Sequence, residues 1–142
     1  MAGGERTERV AATPQACFAL LLDFERYRTW QSTVRRCVVL ERDDEGRGRV
    51  VETEIDLKVR RARYVLRYHY DPPRRIWWDY VEGDVRSISG EYRFAPAGED
   101  ATDVTYAVDV ELGFAVPGRV ARAVAERSLA TALRELRVAL EA

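Results

Sequence analysis

The sequence predicts an α+β fold in which a curved antiparallel sheet of about seven strands wraps a long C-terminal helix. Three observations predict it. The last stretch, Pro117 to Ala142, places apolar residues at the 3.6-residue period of a helix. The middle of the chain alternates apolar and polar residues between turn sequences, as strands joined by tight turns do. Two short helical patterns follow the first strand.

Composition favours one globular domain over residues 1–142, since 46% of the chain is hydrophobic and 33% is charged. The net charge of −1 argues against a general nucleic-acid binder. No apolar run approaches the ~20 residues of a membrane span, and the first five residues do not form a signal peptide. We therefore expect a cytoplasmic protein with no stable membrane insertion. Cys17 and Cys37 show no metal or redox spacing, so we expect neither a metal site nor a cofactor.

The N-terminal segment predicts an edge strand over residues 5–11 and then two short helices. Thr13 before Pro14 is typical of a helix start, with the threonine as N-cap and the proline at the first helical position. Asp23 is the expected cap of the second helix. That helix ends in an aromatic cluster, which consists of Phe24, Tyr27 and Trp30.

Six stretches between residues 34 and 112 carry the two-residue alternation of strands. A tight hairpin about residues 59 and 60 is predicted between the second and third of them. The charge pairs expected across this hairpin are Asp56 with Arg63 and Glu52 with Arg67. His69 has the parity of the outer, charged face and is expected at the solvated surface.

The apolar strand face gathers five tyrosines among aliphatic residues. Its expected members are Ile55, Leu57, Tyr64, Leu66, Tyr68, Trp78, Tyr80, Ile88, Tyr92, Tyr106 and Val108. Buried hydroxyls need hydrogen-bond partners. Five tyrosine hydroxyls around one core are more than a core without water usually provides with partners. This favours a cavity lined by aromatic rings. The alternative is that the rings are buried while the hydroxyls reach solvent at the rim.

Two further residues share the parity of the apolar face. Arg86 could pair with a ligand carboxylate or phenolate, or polarise a carbonyl; since it starts its strand, a position in water is equally reasonable. Gly90 is a place where the strand bends or a ligand approaches closely.

The final helix has a graded apolar stripe, with small residues first and leucines later. The small residues are Ala121, Ala125 and Ser128. Either this half of the helix leaves room for a ligand, or it lets the backbone approach the sheet. The apolar loop before the helix is expected to form a lip over the cavity, as a gate or as an anchor for the helix. The members of the lip are Phe114, Val116, Tyr27 and Trp30.

Several local segments carry a resemblance to a known group. They are residues 13–18, 23–27 with Trp30, 83–86, 90–94 and 112–118. With the order of elements, they resemble the START-like, helix-grip (SRPBCC) superfamily, which includes polyketide cyclases, coenzyme Q-binding proteins and lipid-transfer domains. The resemblance runs from Val10 to the end of the chain. Many members have a proline directly after the aromatic of the second helix, where this chain has Arg28.

The resemblance implies a cavity between sheet and long helix that holds an apolar ligand. The favoured function is a binding module that carries, sequesters or senses a lipid, quinone or polyketide-like molecule. The alternative is a polyketide aromatase/cyclase, in which Arg86 and tyrosine hydroxyls assist enolisation and loss of water. A homodimer, or an acyl carrier or synthase partner, is possible in either case, and a weaker third hypothesis is a role in protein interaction. The sequence offers no Ser/His/Asp arrangement and no paired acid and base.

Overall fold

The computed structural model describes residues 2–56, 60–113 and 117–142, with the backbone alone at Ala2. It confirms the predicted α+β architecture. The elements are β1 (Ala2–Val10), α1 (Pro14–Leu22), a 3-10 turn (Phe24–Arg26), α2 (Tyr27–Trp30), β2 (Val34–Arg42), β3 (Gly48–Asp56), β4 (Arg61–Asp71), β5 (Arg75–Gly83), β6 (Ser87–Pro96), β7 (Thr102–Glu111) and α3 (Gly118–Glu141).

The seven strands form one antiparallel sheet in the order β1-β7-β6-β5-β4-β3-β2. Strands β2 to β7 follow one another as hairpins because short turns connect them. Strand β1 pairs with β7, so the N-terminal strand forms one edge and β2 the other. Helix α3 packs mainly against β1 and β7.

The start of α1 is as predicted, because the Thr13 hydroxyl accepts a hydrogen bond from the Ala16 amide at 3.1 Å. The expectation for Asp23 is wrong, since its side chain makes no capping bond. The chain there forms a 3-10 turn that leads into the single turn of α2. Its aromatic residues still reach the core: Phe24 and Tyr27 are buried with their ring centroids 5.2 Å apart.

The predicted register of the β3–β4 hairpin is wrong by two residues. Asp56 lies opposite Arg61, and Glu54 lies opposite Arg63. The shift is even, so each side chain keeps its predicted face. Arg63 now reaches Glu52 diagonally at 2.8 Å. The predicted turn falls partly outside the described residues.

Helix α3 buries the stripe that the sequence predicts. Its buried residues are Ala125, Leu129, Leu133 and Leu136. Three polar contacts fasten its C-terminal half to the rest of the fold. They join Arg137 to Glu8 at 3.1 Å, Glu141 to the Ala11 amide at 2.9 Å, and Glu135 to the Ser32 amide at 3.0 Å. No helix among the described residues is long and apolar enough to cross a membrane.

Candidate functional site

A cavity of about 80 Å³ lies between the inner face of the sheet and the N-terminal helices. Strands β3 to β7 supply most of its wall, and α1 and the residues around α2 close it. Its lining residues are Leu21, Tyr27, Gln31, Val34, Thr53, Tyr64, Leu66, Tyr68, Ile76, Trp78, Ile88, Tyr92 and Tyr106. The wall is therefore largely apolar and aromatic, with a few hydroxyls and one amide. Charged side chains are absent from this described lining.

Trp78 lies at the centre of the aromatic wall. Its ring centroid is 5.6 Å from that of Tyr68, 5.7 Å from that of Tyr92 and 6.0 Å from that of Tyr106. Gly90 makes room for it, since a Cβ there would lie 2.8 Å from the indole and 2.5 Å from the Ala107 carbonyl. The close approach that the sequence suggested at Gly90 is thus made by a tryptophan of the chain itself.

The tyrosines divide into two groups by what their hydroxyls do. Three of the seven donate to backbone carbonyls and so serve the fold. Tyr27 bonds to Leu21 at 2.5 Å and Tyr80 bonds to Val85 at 2.5 Å. Tyr70 bonds to the Gly48 carbonyl.

The other four tyrosines all line the cavity, and we call them the cavity phenols. They are Tyr64, Tyr68, Tyr92 and Tyr106. Among the described residues their hydroxyls have no hydrogen-bond partner, and they are not sealed away from the cavity space. The Tyr92 and Tyr106 rings stack face to face, with centroids 4.5 Å apart and planes 7° apart. The four hydroxyls are thus free to bind something else.

Burial keeps these phenols neutral. It raises the pKa of Tyr106 to about 12, and it also raises the pKa values of Tyr64, Tyr68 and Tyr92 above the ordinary value of a tyrosine. The nearby Cys37 thiol behaves likewise, because burial raises its pKa to about 11; its sulfur lies 3.5 Å from the Thr53 hydroxyl. Near neutral pH the cavity therefore presents O–H groups and no phenolate or thiolate.

The structure brings eight of the predicted ligand-binding residues to the cavity. They are Tyr27, Tyr64, Leu66, Tyr68, Trp78, Ile88, Tyr92 and Tyr106. Leu57, Phe114 and Val116 lie outside the described residues, and the last two of these are half of the predicted lip. The remaining predicted residues do not line the cavity. They are Trp30, Ile55, Tyr80, Arg86, Gly90, Val108, Ala121, Ala125 and Ser128.

Arg86 is on the surface, the second of the two positions that the sequence allowed. Its side chain is 67% exposed and lies 3.5 Å from Glu111. The residue precedes β6, in a bend where the alternation of the strand does not apply. Val85, next to it, is buried instead. The cavity therefore lacks the cation that the cyclase hypothesis assigned to it.

The small residues of α3 do not border the cavity. Ala125 is buried but does not border the cavity. The same stretch of helix lies close to β1: a Cβ at Gly4 would lie 3.1 Å from the Leu129 side chain. That contact is between a leucine side chain and a glycine of the sheet, and the small residues do not line the cavity as the first alternative expected. Trp30 is also away from the cavity, and its buried indole N–H has no acceptor among the described residues.

Sequence reasoning missed five lining residues. Thr53 and Ile76 share the inner strand face, so alternation could have identified them. Leu21 belongs to the apolar face of α1. Val34 begins β2, where the predicted alternation also begins, so this pattern could have identified it. Gln31 follows α2 in a connection without periodicity, and no sequence signal marks it.

A wider depression of about 360 Å³ lies on the outer face of the sheet, between Trp77 and Asp109. Arg75 crosses it, with its guanidinium 4.3 Å from the centre of the Trp77 ring and 2.6 Å from Glu91. His69, on the outer face as expected, stacks on the same ring and lies 2.7 Å from Asp79. Arg75 and Glu91 are paired with each other here. We favour the smaller inner cavity as the functional site because apolar and aromatic side chains form most of its wall. Among the described residues, no cluster of three potential metal ligands occurs.

Comparison with known proteins agrees with this architecture. The model of a family described as polyketide cyclase/dehydrase and lipid transport matches residues 10–137. A START superfamily protein from Mycobacterium smegmatis has a TM-score of 0.92 at 22% identity, with 99% of this chain and 98% of that chain covered. An aromatase/cyclase from Streptomyces sp. R1128 has a TM-score of 0.84 at 22% identity, with 98% and 93% covered.

A STAR-related lipid transfer protein from Xanthomonas axonopodis also shares the fold, with a TM-score of 0.78 at 18% identity and coverage of 99% and 86%. The chain matches none of the curated proteins with which it was compared. At these identities the solved structures show the fold alone, and the family model covers most of the sequence. The chain belongs to the polyketide cyclase/dehydrase and lipid transport family.

Proposed function

We propose that the protein binds a small, largely apolar molecule in the inner cavity, for carriage, sequestration or sensing. The observation that carries this proposal is the set of four cavity phenols whose hydroxyls have no partner among the described residues. Tyr92 is buried and the other three cavity phenols are half-buried, and an occupant that accepts hydrogen bonds would satisfy the hydroxyls that the fold leaves without a partner. Apolar walls with a few polar groups are typical of small-molecule sites.

The size of the cavity limits that occupant. Its 80 Å³ is below the ~300 Å³ at the lower end of common ligand pockets and below the ~150 Å³ of a cavity known to take up benzene. A single ring therefore needs modest rotamer changes in the wall. A long lipid needs a much larger opening. Small cyclic molecules are the best supported ligands.

The cyclase alternative has less support. Such an enzyme needs a cationic or readily titratable group at the reacting carbon chain, and Arg86 lies at the surface beside Glu111. The groups that remain in the described lining are neutral phenols, a threonine and an amide. These groups can donate hydrogen bonds to a carbonyl, but they cannot abstract a proton near neutral pH.

Gently purified protein should carry a ligand that native mass spectrometry detects as an adduct of defined mass. Leu66→Phe enlarges a lining residue that is 3% exposed and should abolish the adduct. Leu40→Phe makes the same change at a residue that is 55% exposed and should leave the adduct in place. Overpacking at Leu66 costs about 1–3 kcal/mol, so thermal unfolding must first show that this variant is folded.

Two outcomes would count against binding in the cavity. One is a wild-type protein that shows no adduct and takes up no added hydrophobic probe. The other is a folded Leu66→Phe variant that keeps the full wild-type adduct.

A further inference from the structure

We infer that the ligand is an uncharged, flat, ring-sized molecule whose polar groups are hydrogen-bond acceptors, such as a ketone, a quinone or a cyclic ether. This inference rests on the proposed function and specifies the ligand of the same site. It follows from the hydroxyl groups, from the absence of charge in the described wall, and from the shape that the rings give to the cavity.

The hydroxyl groups favour acceptors on the ligand. A phenol donates one hydrogen bond through its O–H, and the four cavity phenols have no acceptor among the described residues. The three other tyrosines show the contrast, since each donates to a backbone carbonyl. Ligand oxygens that only accept would satisfy the cavity phenols in the same way. A pure hydrocarbon would cover these hydroxyls without supplying an acceptor.

The described wall disfavours charged ligands. It contains no lysine, arginine or histidine to pair with a carboxylate, and no aspartate or glutamate to pair with an amine. Arg86, the one candidate cation that the sequence offered, pairs with Glu111 at the surface. Burying an unpaired charge is far more costly than burying a neutral carbonyl. Fatty acids and other carboxylates should therefore bind poorly.

The shape of the wall favours a flat ring. Tyr92 and Tyr106 stack with their planes 7° apart, and the Trp78 indole lies beside both. Together they form an aromatic surface against which a planar molecule can pack by stacking or edge contact. A branched or saturated ring would use less of that surface.

Three probes of similar size separate these properties. Acetophenone is neutral with one carbonyl acceptor, ethylbenzene is a hydrocarbon of nearly the same shape, and benzoate carries a charge at neutral pH. Heteronuclear NMR titration of the full chain should give the tightest dissociation constant for acetophenone. Ethylbenzene should bind about tenfold more weakly, as expected for one buried hydrogen bond, and benzoate should not saturate the site.

Variants of the cavity phenols identify the groups that bind the carbonyl. The double variant Tyr92→Phe/Tyr106→Phe should weaken acetophenone binding about tenfold and leave ethylbenzene binding equal or tighter. The control Tyr80→Phe removes a hydroxyl bonded to Val85, outside the cavity, and should change neither affinity. Should the double variant fold poorly, Tyr64→Phe makes the same test at one hydroxyl.

The outcomes distinguish this inference from the proposed function. Ethylbenzene binding as tightly as acetophenone, or benzoate binding best, overturns the inference while a small-molecule site remains. An acetophenone affinity that the cavity variants do not change also overturns it. If none of the probes binds, the inference is wrong, and the adduct experiment with Leu66→Phe and Leu40→Phe decides the proposed function separately.

Discussion

Gly83→Ala is expected to lower the free energy of unfolding by more than about 3 kcal/mol. Gly83 has φ of +147°, a conformation whose cost for other residues is about 1–3 kcal/mol. In addition, a Cβ at this position would lie 2.5 Å from the Tyr64 Cα and even closer to the Arg63 carbonyl. These are backbone atoms, so relief requires the β4–β5 pair to separate. Urea unfolding measures the loss.

Gly98→Ala is the matched control. Gly98 has φ of +130° and no atom within 4 Å of the position that a Cβ would take. It therefore carries the conformational cost of about 1–3 kcal/mol without the steric one. Equal losses for both variants would mean that the close approach at Gly83 is unimportant. A clearly larger loss for Gly83→Ala supports the importance of the close approach. Because Gly83 pairs with Tyr64, such a loss also indicates that this glycine helps to place a cavity phenol.

Leu133→Ala is expected to destabilise the protein by about 3–5 kcal/mol, because it leaves a void in the core beneath α3. Leu133 has no exposed surface. Leucine and alanine are both good helix formers, so the loss reports packing and not helix propensity. Because the described lining of the cavity includes no residue of α3, acetophenone affinity should stay unchanged in the folded variant.

Val138→Ala tests the same helix on its exposed side. Val138 is 61% exposed, so truncating it should alter the free energy of unfolding by no more than about 0.5 kcal/mol. A loss as large as that of Leu133→Ala would show that another surface covers this side of α3. Chemical denaturation of both variants under one set of conditions gives the comparison.

Alternation and helical periodicity were sufficient to predict the architecture. Val51 and Thr53 are buried on the face that alternation assigns them, and Leu129 and Leu133 are buried on the predicted stripe of α3. These patterns are informative because one face of each element must leave water. The order of elements then left few ways to cover the sheet.

Local geometry was less predictable, and Arg86 shows why. Alternation holds only inside a strand, and Arg86 precedes β6 in a bend, so its parity carried no information. The register of the β3–β4 hairpin depended on a turn that has no typical turn residues. Its charged side chains pair diagonally across the strands, as Arg63 and Glu52 do, so direct opposition of charges did not predict the register. Small residues in α3 were ambiguous for a different reason. They fit a cavity and a close contact equally well; of the three, only Ala125 is buried, and none lines the cavity.

The cavity itself was predicted from the tyrosines, and its details depend on which hydroxyls are used within the chain. Parity placed Tyr80 with the cavity phenols, yet its hydroxyl bonds to Val85. Tyr27 was expected at the lip, and it lines the cavity with its hydroxyl bonded to Leu21. These hydroxyl-to-carbonyl hydrogen bonds depend on how the connections between elements fold, and the sequence of a connection has no periodic pattern that predicts this.

The central claim is that a neutral ring can occupy the space among the four cavity phenols. Intermolecular nuclear Overhauser effects between acetophenone and protein carrying labelled aromatic rings test it most directly. The account predicts contacts from the ligand to the rings of Tyr64, Tyr68, Tyr92 and Tyr106. Contacts confined to Trp77 on the outer face of the sheet, or none at saturating ligand, would contradict it.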